Sequence, residues 1–203
     1  ESVTAHPRND RVRWIIQSNV QDQVPLWLRG ITGSGVTIGH IDEEIFEGNC
    51  FFDDPTGALP GPNHRKIKFF NGGWGSSSHG THTAGTAAGD PRPFGSYSGA
   101  GMAPDAFIAH DGVFPNSANF LAKLDQLHSH GARIHSNSWG NDFSRSYDNW
   151  CRDIDAYSHD QEEGLILFAV SNGYILKNPE NAKSVVGVGA TRADDPSIFG
   201  VGA

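Results

Sequence analysis

The chain has 203 residues, 37% hydrophobic and 19% charged, with 25 Gly, 11 Pro, 5 Trp, 12 Phe and 10 His. That length suits one domain with a sizeable core, and the aromatic content excludes a disordered chain. No run of roughly 20 apolar residues is present to span a membrane, and a formal charge of −8 argues against a nucleic-acid-binding groove.

The chain starts Glu1-Ser2-Val3, without an initiator Met or an apolar leader, and stops at Gly200-Val201-Gly202-Ala203, just past a strand-like run. Both ends read as those of a mature form or an excerpt of a longer precursor. Residues 1–30 form a polar amino-terminal arm with aromatic anchors at Trp14 and Trp27, and 31–203 form the α/β core. Residues 36–41, Val-Thr-Ile-Gly-His-Ile, follow the turn Gly33-Ser34-Gly35 and read as a buried strand. From 48 to 78 the chain is rich in Gly, Pro, Asn and Asp, which predicts a long surface excursion. The small-residue run 79–89 predicts a tightly packed helix ending at Gly89, its glycines admitting close backbone approach.

Strands are expected at 106–109, 133–137, 165–170 and 184–189. Between them, Phe120, Leu121, Leu124 and Leu127 mark one face of a helix over 117–130. Trp150, Ile154 and Tyr157 do the same over 147–163, and the acidic stretch 160–163 is its solvated end. Continuous apolar strands separated by helices predict a doubly wound α/β fold: a mostly parallel sheet covered by helices on both faces. The two cysteines, Cys50 and Cys151, are expected as free, partly buried thiols, with one disulfide between them as the alternative.

In such sheets function gathers where strands end. Asp42 follows the first strand, His79 opens the small-residue helix within Ser78-His79-Gly80-Thr81-His82, and Asn172 follows the strand at 165–170. An acid, an imidazole and an amide donor are the orienter, general base and oxyanion donor of acyl transfer. Each has a plainer reading: Asp42 as a cap, Asn172-Gly173 as a turn, and His79 with His82 as metal ligands three residues apart. No second helix with ligand spacing accompanies the two histidines, so no metal site is assigned.

The order of these segments resembles that of subtilisin-like serine peptidases, the subtilases. His79-Gly80-Thr81-His82-Thr83-Ala84-Gly85-Thr86 matches the family's catalytic-histidine motif, and Ile41-Asp42 its aspartate strand. Gly131-Ala132-Arg133-Ile134-His135-Ser136-Asn137-Ser138-Trp139-Gly140 resembles the substrate-binding strand, and Phe168-Ala169-Val170-Ser171-Asn172-Gly173 the oxyanion-asparagine segment. Ser98-Gly99-Ala100-Gly101-Met102-Ala103-Pro104 resembles the linker after the histidine helix, residues 185–191 resemble the strand after the asparagine, and residues 14–35 the start of the oxidatively stable alkaline branch.

The resemblance implies that Asp42 is the acid, His79 the base, Asn172 the oxyanion donor and His82 a structural histidine. It makes Ser138, Trp139 and Gly140 the wall of the primary specificity pocket. It implies a secreted serine endopeptidase acting on protein or peptide substrates, requiring no cofactor for its chemistry and binding neither nucleic acid nor membrane. Structural calcium is compatible with it, and Asp53, Asp54, Asp194 and Asp195 are candidate contributors without forming a specific ligand set.

Two features depart from the family. Glu43 and Glu44 stand where it has a small hydroxyl residue and then Gly. If that Gly position demands positive φ, Glu44 costs on the order of 1 kcal/mol. The Gly-Thr-Ser-Met-Ala-type segment that carries the nucleophile is not found, so these residues read as a subtilase domain without its carboxy-terminal part. The serine is then expected in the remainder of the precursor. The alternative is a non-catalytic, subtilase-like binding or regulatory module. The other histidines, at 40, 64, 110, 128, 130, 135 and 159, are expected mostly on the surface or on helix faces.

Overall fold

The computed structural model describes residues 9–72, 78–95, 99–173 and 175–190, with side chains from residue 13 onward. Short apolar runs form the strands β1 (Thr37–Ile41), β2 (Ile67–Asn71), β3 (Phe107–Asp111), β4 (Ala132–Asn137), β5 (Leu165–Ala169) and β6 (Val186–Val188). They make one sheet in the order β2-β3-β1-β4-β5-β6, and every described pairing is parallel. The chain enters near the middle of the sheet and spreads to both sides, so the carboxyl end of β1 lies where strand order reverses.

Three longer helices cross between strands: α3 (Ser78–Ala88), α4 (Phe120–Ser129) and α5 (Asn149–Asp160). Two shorter ones, α1 (Asn9–Gln17) and α2 (Pro25–Leu28), lie in the arm. Trp14 is buried, and the Trp27 indole N–H donates to the Met102 carbonyl at 3.0 Å, so both aromatic residues anchor the arm as expected.

Alternation along the strands builds two cores. Ile41 and Ala109 pack with Phe120, Leu124 and Leu127 of α4 and with Ile154 and Tyr157 of α5. On the other face Ile38, Ile67 and Ile108 pack with Ala84 and Ala88 of α3. A parallel sheet with helices on both faces is the expected fold class.

The structure corrects several details. β2 lies inside the predicted excursion; it is an edge strand with an irregular register between Ile67 and Phe69, and Lys68 interrupts its apolar run. α5 starts at Asn149 rather than 147 because the Asp148 carboxylate accepts from the Trp150 N–H and caps the helix. It ends at Asp160, leaving 161–163 beyond it. β5 and β6 are not covered on both faces among the described residues: Leu165, Val186 and Val188 are 43–47% exposed. The cysteines are free, Cys50 exposed and Cys151 buried.

The histidines differ most from expectation. His40, His64, His110 and His135 are all buried. Each has found a polar partner, which is what permits burial. His64 Nδ1 accepts from the N–H groups of Lys66 and Ile67 at 3.0 and 2.9 Å, and His135 Nε2 lies 2.9 Å from the Tyr157 hydroxyl.

Candidate active site

Two periodicities bring the polar residues together. Strand alternation puts Ile38, His40 and Asp42 on the sheet face covered by α3. On α3, His79 and Thr83 are four residues apart and share one side of the helix. The result is a contact of 2.6 Å between His79 Nδ1 and Asp42 Oδ1. Asp42 is fully buried, while the His79 side chain is 49% exposed. The same Asp42 oxygen accepts from the Glu43 N–H at 2.7 Å, and the Thr83 hydroxyl donates to Asp42 Oδ2 at 3.1 Å.

Behind Asp42 the polar chain continues into the sheet. His40 Nε2 lies 2.9 Å from Thr83 Oγ1, and His40 Nδ1 lies 2.9 Å from His110 Nδ1 on the neighbouring strand, where the two residues are register partners. Burial drives the pKa of His40 well below the ordinary histidine value and that of His110 down to about 4. Both rings are therefore neutral at neutral pH.

Gly80 explains how α3 comes so close. A Cβ at this position would sit 1.8 Å from the Glu43 carbonyl oxygen. Only a glycine lets the first turn of α3 rest on the backbone that follows Asp42. Glu44 is strain-free in the sense at issue: the non-glycine residues with positive φ among those described are Asn19 and Asp22. The backbone cost anticipated for Glu44 is not incurred.

His79, Ser138, Trp139, Gly140 and Asn172 line one cleft of about 260 Å³, joined there by Asp142 and Glu180. Ser138 to Gly140 follow β4, and Asn172 follows β5, so strand ends supply both walls. Trp139 is held by edge-on contacts with Phe114, Phe120, Trp150 and Phe168. An imidazole tied to a buried carboxylate, beside an amide donor in a cleft of this size, can take a proton and stabilise a developing negative charge.

Other candidates sit elsewhere. His82 is exposed, which does not fit the structural role implied for it. Among the described residues no group of three or more His, Cys, Asp or Glu is placed to hold a metal. Both Asp54 oxygens are engaged, by the Thr56 hydroxyl and N–H and by the Arg65 N–H, and these bonds hold its carboxyl down at about 2. Asp194 and Asp195 lie outside the described residues, as do Ser98 and Thr191 of the resembling segments. Sequence reasoning missed Thr83, Asp142 and Glu180, and gave His40 no role. Parity from Asp42 and a four-residue step from His79 point to His40 and Thr83; no periodic signal marks Glu180.

Residues 33–199 match the Subtilase family, and the chain belongs to it. Membership places it among serine-protease hydrolase domains. The serine protease/ABC transporter B family protein tagD of Dictyostelium discoideum is 28% identical over 204 residues, covering 87% of this chain and 11% of that protein. The corresponding protein tagB of the same organism is 29% identical over 192 residues, covering 83% of this chain and 10% of its own length. The chain thus spans about a tenth of these curated relatives. Proteases from Pseudoalteromonas arctica share the fold with a TM-score of 0.59 and 20% identity, over 94% of this chain and 66% of theirs. The epidermin leader peptide processing serine protease of Staphylococcus aureus has a TM-score of 0.58 and 14% identity, over 94% of this chain and 53% of its own. At these identities the likeness concerns the fold alone.

Proposed function

We propose that these residues supply the acid, base and oxyanion donor of a subtilisin-like serine endopeptidase whose nucleophilic serine lies outside the 203 residues. The observation that supports this reading is the 2.6 Å contact between His79 and the buried Asp42 at the rim of a cleft lined by Asn172 and Ser138–Gly140. With Nδ1–H donating to Asp42, Nε2 is the basic nitrogen. It takes the proton as the serine oxygen adds to the peptide carbonyl. Asp42 stabilises the imidazolium, and the Asn172 amide N–H donates to the oxyanion. His79 then returns the proton to the departing amine, and water repeats the sequence to release the acid.

In this reading the substrates are proteins or peptides, the remainder of the precursor is the obligatory partner, and the site of action is extracellular. Calcium, if bound, is structural, and the chemistry needs no cofactor. The resemblance of residues 14–35 to the start of the oxidatively stable alkaline branch supports kinship with that branch. The non-catalytic alternative rested on Glu43-Glu44 and on the missing nucleophile; the first ground no longer supports it, because Asp42 and His79 meet despite that departure.

The test uses the intact protein. It should hydrolyse peptide substrates and be labelled by a fluorophosphonate, and His79→Ala should lower turnover by at least about 100-fold. The 203-residue chain alone should do neither. Labelling of that chain would overturn the placement of the serine, and full activity of the His79 variant would overturn the roles assigned here.

A further inference from the structure

Glu180 is an acid that the peptidase chemistry leaves unused, yet it is only 4% exposed and lines the cleft. Its Oε1 plays a structural part, accepting from the N–H groups of Ser171 at 3.2 Å and Lys177 at 2.7 Å and so pinning the loop between them. Its Oε2 has no hydrogen-bond partner among the described residues. That oxygen lies 3.5 Å from where a Cβ on Gly140 would stand, a position also 3.0 Å from the Asn178 carbonyl. The carboxylate therefore sits between the two walls, bonded to the Ser171 side through one oxygen and facing the space beside Gly140 with the other.

Pinning a loop does not require charge; a side-chain amide oxygen would accept the same two bonds. A buried carboxylate without a countercharge is costly. Among the described residues no Lys or Arg lines the cleft, and Asp142 adds a second negative charge to it. The volume of about 260 Å³ suits one long side chain rather than a larger ligand. A cation entering the cleft would supply both the missing hydrogen-bond donor and the missing charge.

We propose that Glu180 makes the cleft a receptor for a cationic side chain, so that the preferred substrates are peptides carrying Arg or Lys on the acyl side of the cleaved bond. The proposal rests on the peptidase reading only in assigning the cleft to that side. Asp142, at the exposed mouth, contributes attraction without burial.

Calorimetry on the intact protein, using short peptides that end in Arg or in its neutral isostere citrulline, reads the binding preference without requiring turnover. The Arg peptide should bind on the order of 30-fold more tightly. Glu180→Gln keeps an oxygen for the Ser171 and Lys177 N–H groups and removes the charge, so the Arg-to-citrulline ratio should collapse. Equal binding of the two peptides by the unaltered protein overturns the proposal even if the variant fails to fold. A ratio that survives in Glu180→Gln overturns it as well.

The kcat/KM ratio for matched Arg and citrulline substrates provides the second arm. Selective binding without hydrolysis would defeat the peptidase reading and leave the cation site standing. Hydrolysis without an Arg preference would do the reverse.

Discussion

His40 and His110 face each other across β1 and β3 with their Nδ1 atoms 2.9 Å apart, one link in a hydrogen-bonded chain that ends on Asp42. If Thr83 donates to Asp42 Oδ2, its oxygen must accept from His40 Nε2–H. His40 Nδ1 is then bare and accepts from His110 Nδ1–H, leaving His110 Nε2 bare. Of the side-chain atoms that link Asp42, Thr83, His40 and His110, that one alone is buried without a partner among the described residues. The opposite direction would bury an unpaired N–H on His110 and take the Thr83 donor from Asp42, so it is the costlier arrangement.

Nitrogen NMR of the folded chain should therefore find His40 as the Nε2–H tautomer and His110 as the Nδ1–H tautomer. Thr83→Val, which keeps the shape but removes the hydroxyl, should lower unfolding free energy by about 2 kcal/mol, the scale of a hydrogen bond to a charged group. It should also move the low-field His79 Nδ1–H resonance. Reversed tautomers, or an unmoved resonance in the valine variant, would contradict this chain of donors.

Buried neutral histidines make the fold sensitive to acid. Desolvation lowers the pKa of His110 to about 4 and that of His135 to about 3, and it carries His40 in the same direction. Once unfolded, each ring titrates near 6.5. Below that pH the unfolded chain binds protons that the folded chain refuses, so stability is complete above about 6.5 and is lost as pH falls toward 4. Three such groups give a slope approaching 4 kcal/mol per pH unit at about 1.4 each. Denaturant midpoints measured at successive pH values from 7.5 to 4.5 should fall steeply; a flat profile would show the rings to be accessible to protons in the folded state.

The two helical glycines of α3 should respond oppositely to alanine. At Gly80 the new Cβ meets the Glu43 carbonyl at 1.8 Å, so Gly80→Ala should cost about 3 kcal/mol and disturb the Asp42–His79 contact. At Gly85 the nearest atom is Phe52 Cζ at 3.8 Å, an ordinary contact, so Gly85→Ala should be neutral or gain up to about 1 kcal/mol from helix propensity. Chemical unfolding of both variants checks the pair. Equal effects would mean that the close approach at Gly80 is relieved at no cost.

Much of the centre of the molecule is legible in the sequence. The strand ending at Asp42, the helix opening at His79 and the segment carrying Asn172 each have the right composition at the right spacing, because apolar periodicity and small-residue runs are local signals. What escapes is set by partners distant in sequence. His40 pairs with a residue 70 positions away, and His135 is buried by Tyr157, 22 positions on. Nothing adjacent to either ring announces its burial. β2 escapes for another reason: at the sheet edge a strand can carry Lys68 and an irregular register, which blurs the alternation that identifies inner strands.

β1 shows how little latitude this arrangement leaves. Its even positions, Ile38 and His40, and then Asp42, face α3, while Gly39 leaves room on the opposite face for His135, whose ring nitrogen lies 2.5 Å from where a Cβ would be. Five residues thus carry two interleaved messages, one for each side of the sheet. Single replacements alter one message at a time. The insertion or loss of one residue would exchange them, turning Asp42 away from His79 and pressing a side chain into the His135 ring. Length, more than composition, is what this strand must preserve.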